Sequence, residues 1–443
     1  MTLKQSILIT VSLFPLLAWA QTNPDSISNR RWWNFHYQST IITQMHPAFH
    51  ANYSGNNSLK SNNESNTSIS TTLFLGARIW KGAALYFNPE LSGGSGFSKT
   101  TGIAGFPNGE VYRVSDATPQ IYIARLYILQ IISLSKETTV IDDAMNQLSG
   151  KMPTSYLALT AGKYSLMDFF DNNRFSHDPR TQFYNWALMG NGAWDYPANT
   201  RGYTYGLTIE LVKPTWAVRY ATVLIPTKAN GAVMDKKITR SNSQAIEFEH
   251  KYNLFGENGT IHFITFLTQA RMGSYKQSLD FATIHNITPN IDTTAALGHT
   301  KYGFGINIEH NVSHNVGLFF RSSWNDGHNE TWVFTEIDRA LSMGLELDGN
   351  LWNRKDDHLS FAFLMNGLSK EHRNYLNAGG YGFIIGDGRL NYATECITEI
   401  YYAFKLKNTA LTFSPDYQFV FHPAYNKDRG PVNVFGLRVH FEF

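Results

Sequence analysis

The stretch ISTTLFLGARI, residues 69–79, alternates with a period of two. Ile69, Thr71, Leu73, Leu75, Ala77 and Ile79 fall on one side, and Ser70, Thr72, Gly76 and Arg78 on the other. Because strand side chains point to opposite faces in turn, this reads as a strand with one oily and one wet face. The pattern recurs from Tyr203 to Leu211 against Thr204, Thr208 and Glu210, and in Trp216, Val218, Tyr220 and Leu224 against Arg219. It returns in Leu341, Met343, Leu345 and Leu347 against Ser342, Glu346 and Asp348. Followed along the chain, it predicts segments near 34–46, 68–80, 83–91, 120–134, 155–166, 203–212, 215–226 and 244–254. Further segments fall near 260–269, 301–312, 315–323, 340–350, 358–366, 397–406, 410–421 and 434–443. That is about 16 strands, an even number within the range of single-chain bacterial barrels.

The links between segments alternate in length. After even-numbered segments they are mostly short, as at Lys81-Gly82, Lys213-Pro214, Gly256 to Gly259, Ser313-His314, Asn353 to Asp357 and Lys407-Asn408. After odd-numbered segments they are long: 47–67, 92–119, 167–202, 227–243, 270–300, 324–339, 367–396 and 422–433. A meander through an outer membrane has tight periplasmic turns and long external loops. The fold expected is therefore all-β, a transmembrane up-and-down antiparallel β-barrel with a water-filled lumen. The link 135–154 breaks the rule, since it falls at a periplasmic position yet runs to about twenty residues. Either a strand boundary is misplaced or that rim carries an extra element.

The ends agree with this. Lys4, an apolar run from Ile7 to Leu17, and small residues at Ala18 and Ala20 form a signal-peptide layout, with the mature chain, one barrel domain over 21–443, beginning near Gln21. A run of about eleven apolar residues is too short to stay as a membrane helix. The last residues put Phe435, Leu437, Val439, Phe441 and Phe443 on one face. An aromatic terminal residue such as Phe443 is what the outer-membrane assembly machinery is expected to read.

Aromatic residues make up 14% of the chain and charged ones 16%, a balance that suits interfacial aromatic girdles and a lipid-facing wall. Composition alone fits a secreted sandwich or propeller equally well, but no repeat of roughly 20 to 50 residues supports a propeller. The formal net charge of +2 gives no broad field for nucleic acid. Cys396 is the single cysteine, so no internal disulfide forms and a zinc site lacks ligands. Nothing in the pattern requires a cofactor. Aromatic outer faces suit lipid or a neighbouring barrel, which leaves homo-oligomerisation open.

Several long strings resemble the carbohydrate-selective porin family, the OprB-like porins. They are LFLGARIWKGAALYFNPEL (73–91), GIAGFPNGE (102–110), GKYSLMDFFDNN (162–173) and HDPRTQFYNWALMGNGAWDYPANTRGYTYG (177–206). WNDGHNETWVFTEIDRALSMGL (324–345), NGLSKEHRNYLNAGGYGFIIGDGRLNY (366–392) and PAYNKDRGPVNVFGLR (423–438) follow in order. The likeness thins between about Ala229 and Thr300. The resemblance implies a 16-stranded barrel in a Gram-negative outer membrane, passive diffusion of mono- and disaccharides, and a constriction rich in arginine.

A neutral sugar needs polar groups that replace water without holding it, and Arg forks with carboxylates serve this. Strand parity puts Arg78, Asn88, Glu90, Arg125, Glu210, Arg219, Glu247, Arg321 and Glu346 on wet faces. Arg78, Glu90 and Arg125, on adjacent strands, lead as a constriction cluster. Arg219 and Arg321 extend the set, and the long loop 167–202 adds Asp171 and Arg180. Its NWALMGNG portion is expected to turn inward, while Trp186, Trp194 and Tyr196 either stack on a sugar ring or pack the loop to the wall. Solvated lumen charge is the plain alternative for each ionic residue. Asp387 and Arg389 in GDGRLNY read as a turn-stabilising ion pair.

Other classes fit less well. No G-x-S-x-G or H-E-x-x-H motif occurs, and the Glu247, Glu249 and His250 group is expected not to converge, being on one strand. An enzyme is therefore not expected. About a dozen residues before the first strand are too few for a receptor plug. Polysaccharide export, a general diffusion pore, and an adhesive barrel with a filled lumen remain the competing readings.

Overall fold

The computed structural model describes residues 31–111, 118–334 and 336–443. The signal peptide expected over 1–20 lies outside them. Its strands begin with β1 (Trp33–His46), β2 (Glu64–Trp80), β3 (Ala83–Gly94), β4 (Gln120–Ser133), β5 (Thr138–Ile141) and β6 (Gly150–Pro153). Next come β7 (Tyr156–Tyr164), β8 (Thr204–Val212), β9 (Trp216–Val223), β10 (Asn242–Leu254), β11 (Glu257–Ala270) and β12 (His299–Ser313). The series ends with β13 (Val316–Asn325), β14 (Arg339–Asp348), β15 (His358–Gly367), β16 (Glu395–Lys405), β17 (Leu411–Phe421) and β18 (Val432–Glu442). Sixteen of these form one closed antiparallel barrel, in which each strand pairs with its chain neighbours and β4 pairs with β7.

The barrel closes between its first and last strands, with Gln38 opposite Glu442 and Met45 opposite Phe435. Phe443 exchanges backbone hydrogen bonds with Tyr37 at 3.1 Å in both directions. Its ring lies 5.6 Å from Phe35 and 5.7 Å from Tyr37. Closure leaves no sheet edge, so the wall satisfies its own backbone groups, as a hydrocarbon surrounding requires.

Parity follows the sequence reading. In β2, Ser68, Ser70, Thr72 and Phe74 are buried inside, while Ile69, Thr71, Leu73 and Leu75 face out. Ile121, Phe263, Leu267, Phe304, Phe361 and Leu437 are exposed on strands all round the wall. So much exposed apolar surface is stable against lipid rather than water. Lys81 and Gly82 make the tight turn between β2 and β3. Gly82 has a φ of 78°, and a Cβ there would run into the Ile131 carbonyl.

The link 135–154 resolves into an extra element: β5 and β6 pair as a separate hairpin at the periplasmic rim. It folds back against the lumen mouth. Asn34 donates to Asp143 at 2.8 Å and to the Gln147 carbonyl at 2.8 Å, and Asn88 donates to Asn146 at 3.0 Å.

At the opposite end the long links enter the barrel. The largest apolar cluster joins wall residues Phe319, Leu364, Ile397 and Tyr401 to loop residues Leu59, Ile103, Phe106, Phe183, Leu188 and Leu368. A loop buried this way must find partners for its backbone N–H groups. Inward carboxylates on the strands supply them. Glu395 accepts from Ala104 and Gly105 at 2.9 and 2.7 Å, Glu399 from Tyr184 and Asn185 at 2.5 and 3.1 Å, and Glu309 from Arg174 at 2.6 Å. Much of the lumen charge therefore anchors loops.

Candidate functional site

Three of the expected residues meet at one point. Glu90, on β3, is buried and accepts from Thr72 Oγ1 at 2.6 Å, from the Tyr203 hydroxyl at 3.1 Å and from the Tyr122 hydroxyl. Arg180, from the loop between β7 and β8, donates to Glu90 at 3.1 Å and through Nε to Glu110 at 2.8 Å. Burial opposes its charge, but Glu110 and Glu90 outweigh that and hold it well above the ordinary guanidinium range. Arg125, on β4, forms a two-pronged pair with Asp168 at 2.7 and 2.5 Å and lies 5.3 Å over the Tyr203 ring.

A β-bulge makes this convergence possible. The register of β3 against β4 shifts between Asn88 and Pro89, so Asn88 faces Arg125 while Pro89 faces Ile123. Proline has no N–H to give the ladder, and bulges are where strands accommodate this. Tyr122 and Ala124 point inward before the bulge, and Arg125 and Tyr127 after it. Strict alternation would have sent either Tyr122 or Arg125 into lipid.

Glu90, Tyr122, Arg125, Arg180 and Tyr203 line a cavity of about 220 Å³ together with Trp186, Tyr196 and Phe334. The three rings lie between 4.4 and 5.8 Å apart by centroid. Among the described residues, Arg125 Nη1, His177 Nδ1 and Thr200 Oγ1 on this lining are buried without a protein partner. His177 Nε2 bonds the Met167 carbonyl at 3.0 Å, so Nε2 carries the proton and Nδ1 is an acceptor. Burial, reinforced by the Arg321 charge, lowers its pKa and keeps the ring neutral. The residues lining the cavity thus hold an unpaired donor, an unpaired acceptor and an unpaired hydroxyl close to an aromatic surface.

The other four expected residues stand elsewhere. Arg78 donates to the Ser149 carbonyl at 2.6 Å, against the periplasmic hairpin. Arg219 on β9 meets Glu210, Glu247 and Glu249 at 2.9, 2.9 and 2.6 Å. The expectation that Glu247 and Glu249 do not converge is therefore corrected, because residues two apart on a strand share a face. Arg321 is buried and clamps the inward loop, donating to the Leu188 carbonyl at 3.1 Å and the Ser176 carbonyl at 2.6 Å. Asp171 accepts from Asn191 N at 2.5 Å and from Asn307 Nδ2 on β12 at 2.8 Å, bracing the loop on itself and against the wall. Asp387 pairs at 4.0 Å with Arg429, which replaces the Asp387 and Arg389 pair read from the sequence.

The sequence matches the family model of the carbohydrate-selective porins, OprB family, over residues 56–443. The chain belongs to this family. Among solved structures, the porin is similar to the high-pH structure of Pseudomonas putida OprB, with a TM-score of 0.70, 14% identity, and coverage of 93% of this chain and 94% of that one. The low-pH structure of the same protein gives a TM-score of 0.50 at 12% identity, covering 93% and 92%. At such identities the likeness is one of fold. A comparison with curated proteins finds no match to the sequence. Family and fold together make this chain an outer-membrane porin.

Sequence reading did not single out Tyr122, Tyr203, Glu110, Thr200 or Phe334 as members of this porin's cavity. Tyrosine counts as apolar in an alternation, so inward tyrosines read as wall. Glu110 stands in GFPNGE, quoted for the resemblance, yet no periodicity could say that the segment enters the barrel.

Proposed function

We propose that this porin passes small neutral saccharides by passive diffusion, and that the cavity bounded by Glu90, Arg125 and Arg180 is its selective constriction. One observation carries the reading: residues with unpaired donor, acceptor and hydroxyl atoms line the same space as stacked aromatic rings. A sugar has hydroxyls for the first set and an apolar ring face for the second. The fixed ion pairs keep the polar groups in place, so a hydroxyl exchanges with water at little reorganisation cost, which favours entry without trapping. Monosaccharides and some disaccharides are the solutes this space suits. Export of the chain with a cleaved signal peptide, and folding through recognition of Phe443 by the assembly machinery, belong to the same reading.

Liposome swelling with a series of neutral sugars tests it. Monosaccharides enter faster than trisaccharides, and Arg125→Ala, which removes the open donor and unpairs Asp168, changes the ratio of rates among isomeric monosaccharides. If rates in both proteins follow solute size alone, the chain is a general diffusion pore and the selective constriction is wrong.

A further inference from the structure

A second chamber, of about 550 Å³, lies among the external loops and is separate in its lining residues from the cavity above. Part of its lining, from Ala229, Tyr275 and the turn Thr288 to Asp292, comes from the stretch where resemblance to the family thins. Its walls are tied together by ring contacts and hydrogen bonds. The Tyr275 ring stacks on His372 at 4.2 Å and lies 5.2 Å from Tyr375. The Tyr375 hydroxyl accepts from Ile291 N at 3.1 Å and donates to the Tyr381 carbonyl at 3.0 Å. Glu336 accepts from Ile384 N and Ile385 N at 2.9 and 3.0 Å, and Glu330 accepts from Gly273 N at 3.2 Å.

Two independent features point to a ligand. Tyr275 is 2% exposed, yet among the described residues its hydroxyl has no hydrogen-bond partner. The lining also carries three acidic groups, Asp292, Glu330 and Glu336, against one cation, Lys228, which stands exposed. Burial raises the Glu330 pKa to about 7, and Asp292 and Glu336 add to the rise. A bound cation would relieve that crowding of negative charge, and aromatic faces attract cations as well.

We infer that this chamber is an external binding site for small amino sugars, whose ammonium meets Glu330 and its acidic neighbours while a hydroxyl bonds Tyr275 against the aromatic wall. The inference rests on the saccharide reading of the porin only for what happens to the bound solute next. Binding itself is independent of passage through the constriction.

Calorimetric titration of the detergent-solubilised porin with glucosamine, N-acetylglucosamine and glucose tests it. Glucosamine binds, and its neutral relatives bind far more weakly. Glu330→Gln weakens glucosamine by about tenfold and Tyr275→Phe by about threefold, the scale of a charged and a neutral hydrogen bond. Heat-modifiability on gels shows that both variants keep the barrel. Arg125→Ala leaves glucosamine affinity unchanged, so loss of selective swelling there cannot be confused with loss of this site. Equal affinity for glucose and glucosamine, an unaltered Glu330→Gln variant, or affinity lost in Arg125→Ala would each overturn the assignment.

Discussion

Arginine in this lumen has two uses, told apart by what its nitrogens touch. Arg125 lines the cavity with an unpaired Nη1, whereas Arg219 and Arg321 lie off that lining, the one enclosed by three carboxylates and the other holding loop carbonyls. Removing Arg219 leaves the fully buried Glu247 with only the Asp171 N–H at 2.6 Å and His262 at 3.3 Å, and a broken buried pair costs up to about 3–5 kcal/mol. Arg219→Ala should therefore lower the urea midpoint of the detergent-solubilised barrel without altering discrimination among sugars. Altered discrimination at unchanged stability would place Arg219 in the solute path instead. Asp195, in the loop between β7 and β8, accepts from Trp332 N and Val333 N, both at 2.7 Å. Burial, opposed by Lys301, raises its pKa from 3.8 to about 6. A raised carboxyl pKa means that the folded state holds the proton more tightly. Stability from this group is then fullest below the unfolded value near 3.8, declines as pH rises toward 6, and stays reduced above it. Thermal unfolding between pH 4 and 7 should show a loss on the order of 3 kcal/mol that Asp195→Asn removes. An identical pH profile in the variant would show that Asp195 does not titrate there.

Two elements depart from a plain meander, and both act on the channel. The bulge between β3 and β4 reverses strand parity, so that one strand contributes Tyr122 and Arg125 to the same space. The hairpin of β5 and β6 is tied to the lumen mouth through Asn34, Arg78 and Asn88, and no residue of 137–153 lines the cavity beside Glu90. Replacing residues 137–153 with a short Gly-containing turn should raise single-channel conductance in planar bilayers while leaving the sugar ratios of liposome swelling as they are. Unchanged conductance would mean that the hairpin lies outside the conducting path.

For the barrel as a whole, the closing seam is the last part the chain can make, since β1 must wait for β18. Phe443 supplies two backbone bonds and ring contacts with Phe35 and Tyr37 at that seam. Deletion of Phe443 should reduce the heat-modifiable, folded fraction in outer-membrane preparations, and full recovery of that fraction would remove the residue from assembly. Each of the sixteen wall strands was legible from the sequence, because a wall between lipid and lumen imposes an alternation of oily and polar residues on every strand, and that is a local signal. The extra hairpin was legible only as an overlong link, since four-residue strands leave too short a pattern to read. Among the candidate residues, Glu90, Arg125 and Arg180 converge, while Arg78, Arg219, Arg321 and Asp171 brace loops or walls. Sequence parity determines whether a side chain faces inward. Which inward charge meets a loop backbone and which meets open space depends on contacts between residues such as Glu399 and Tyr184, 215 positions apart, and only the closed barrel brings them together.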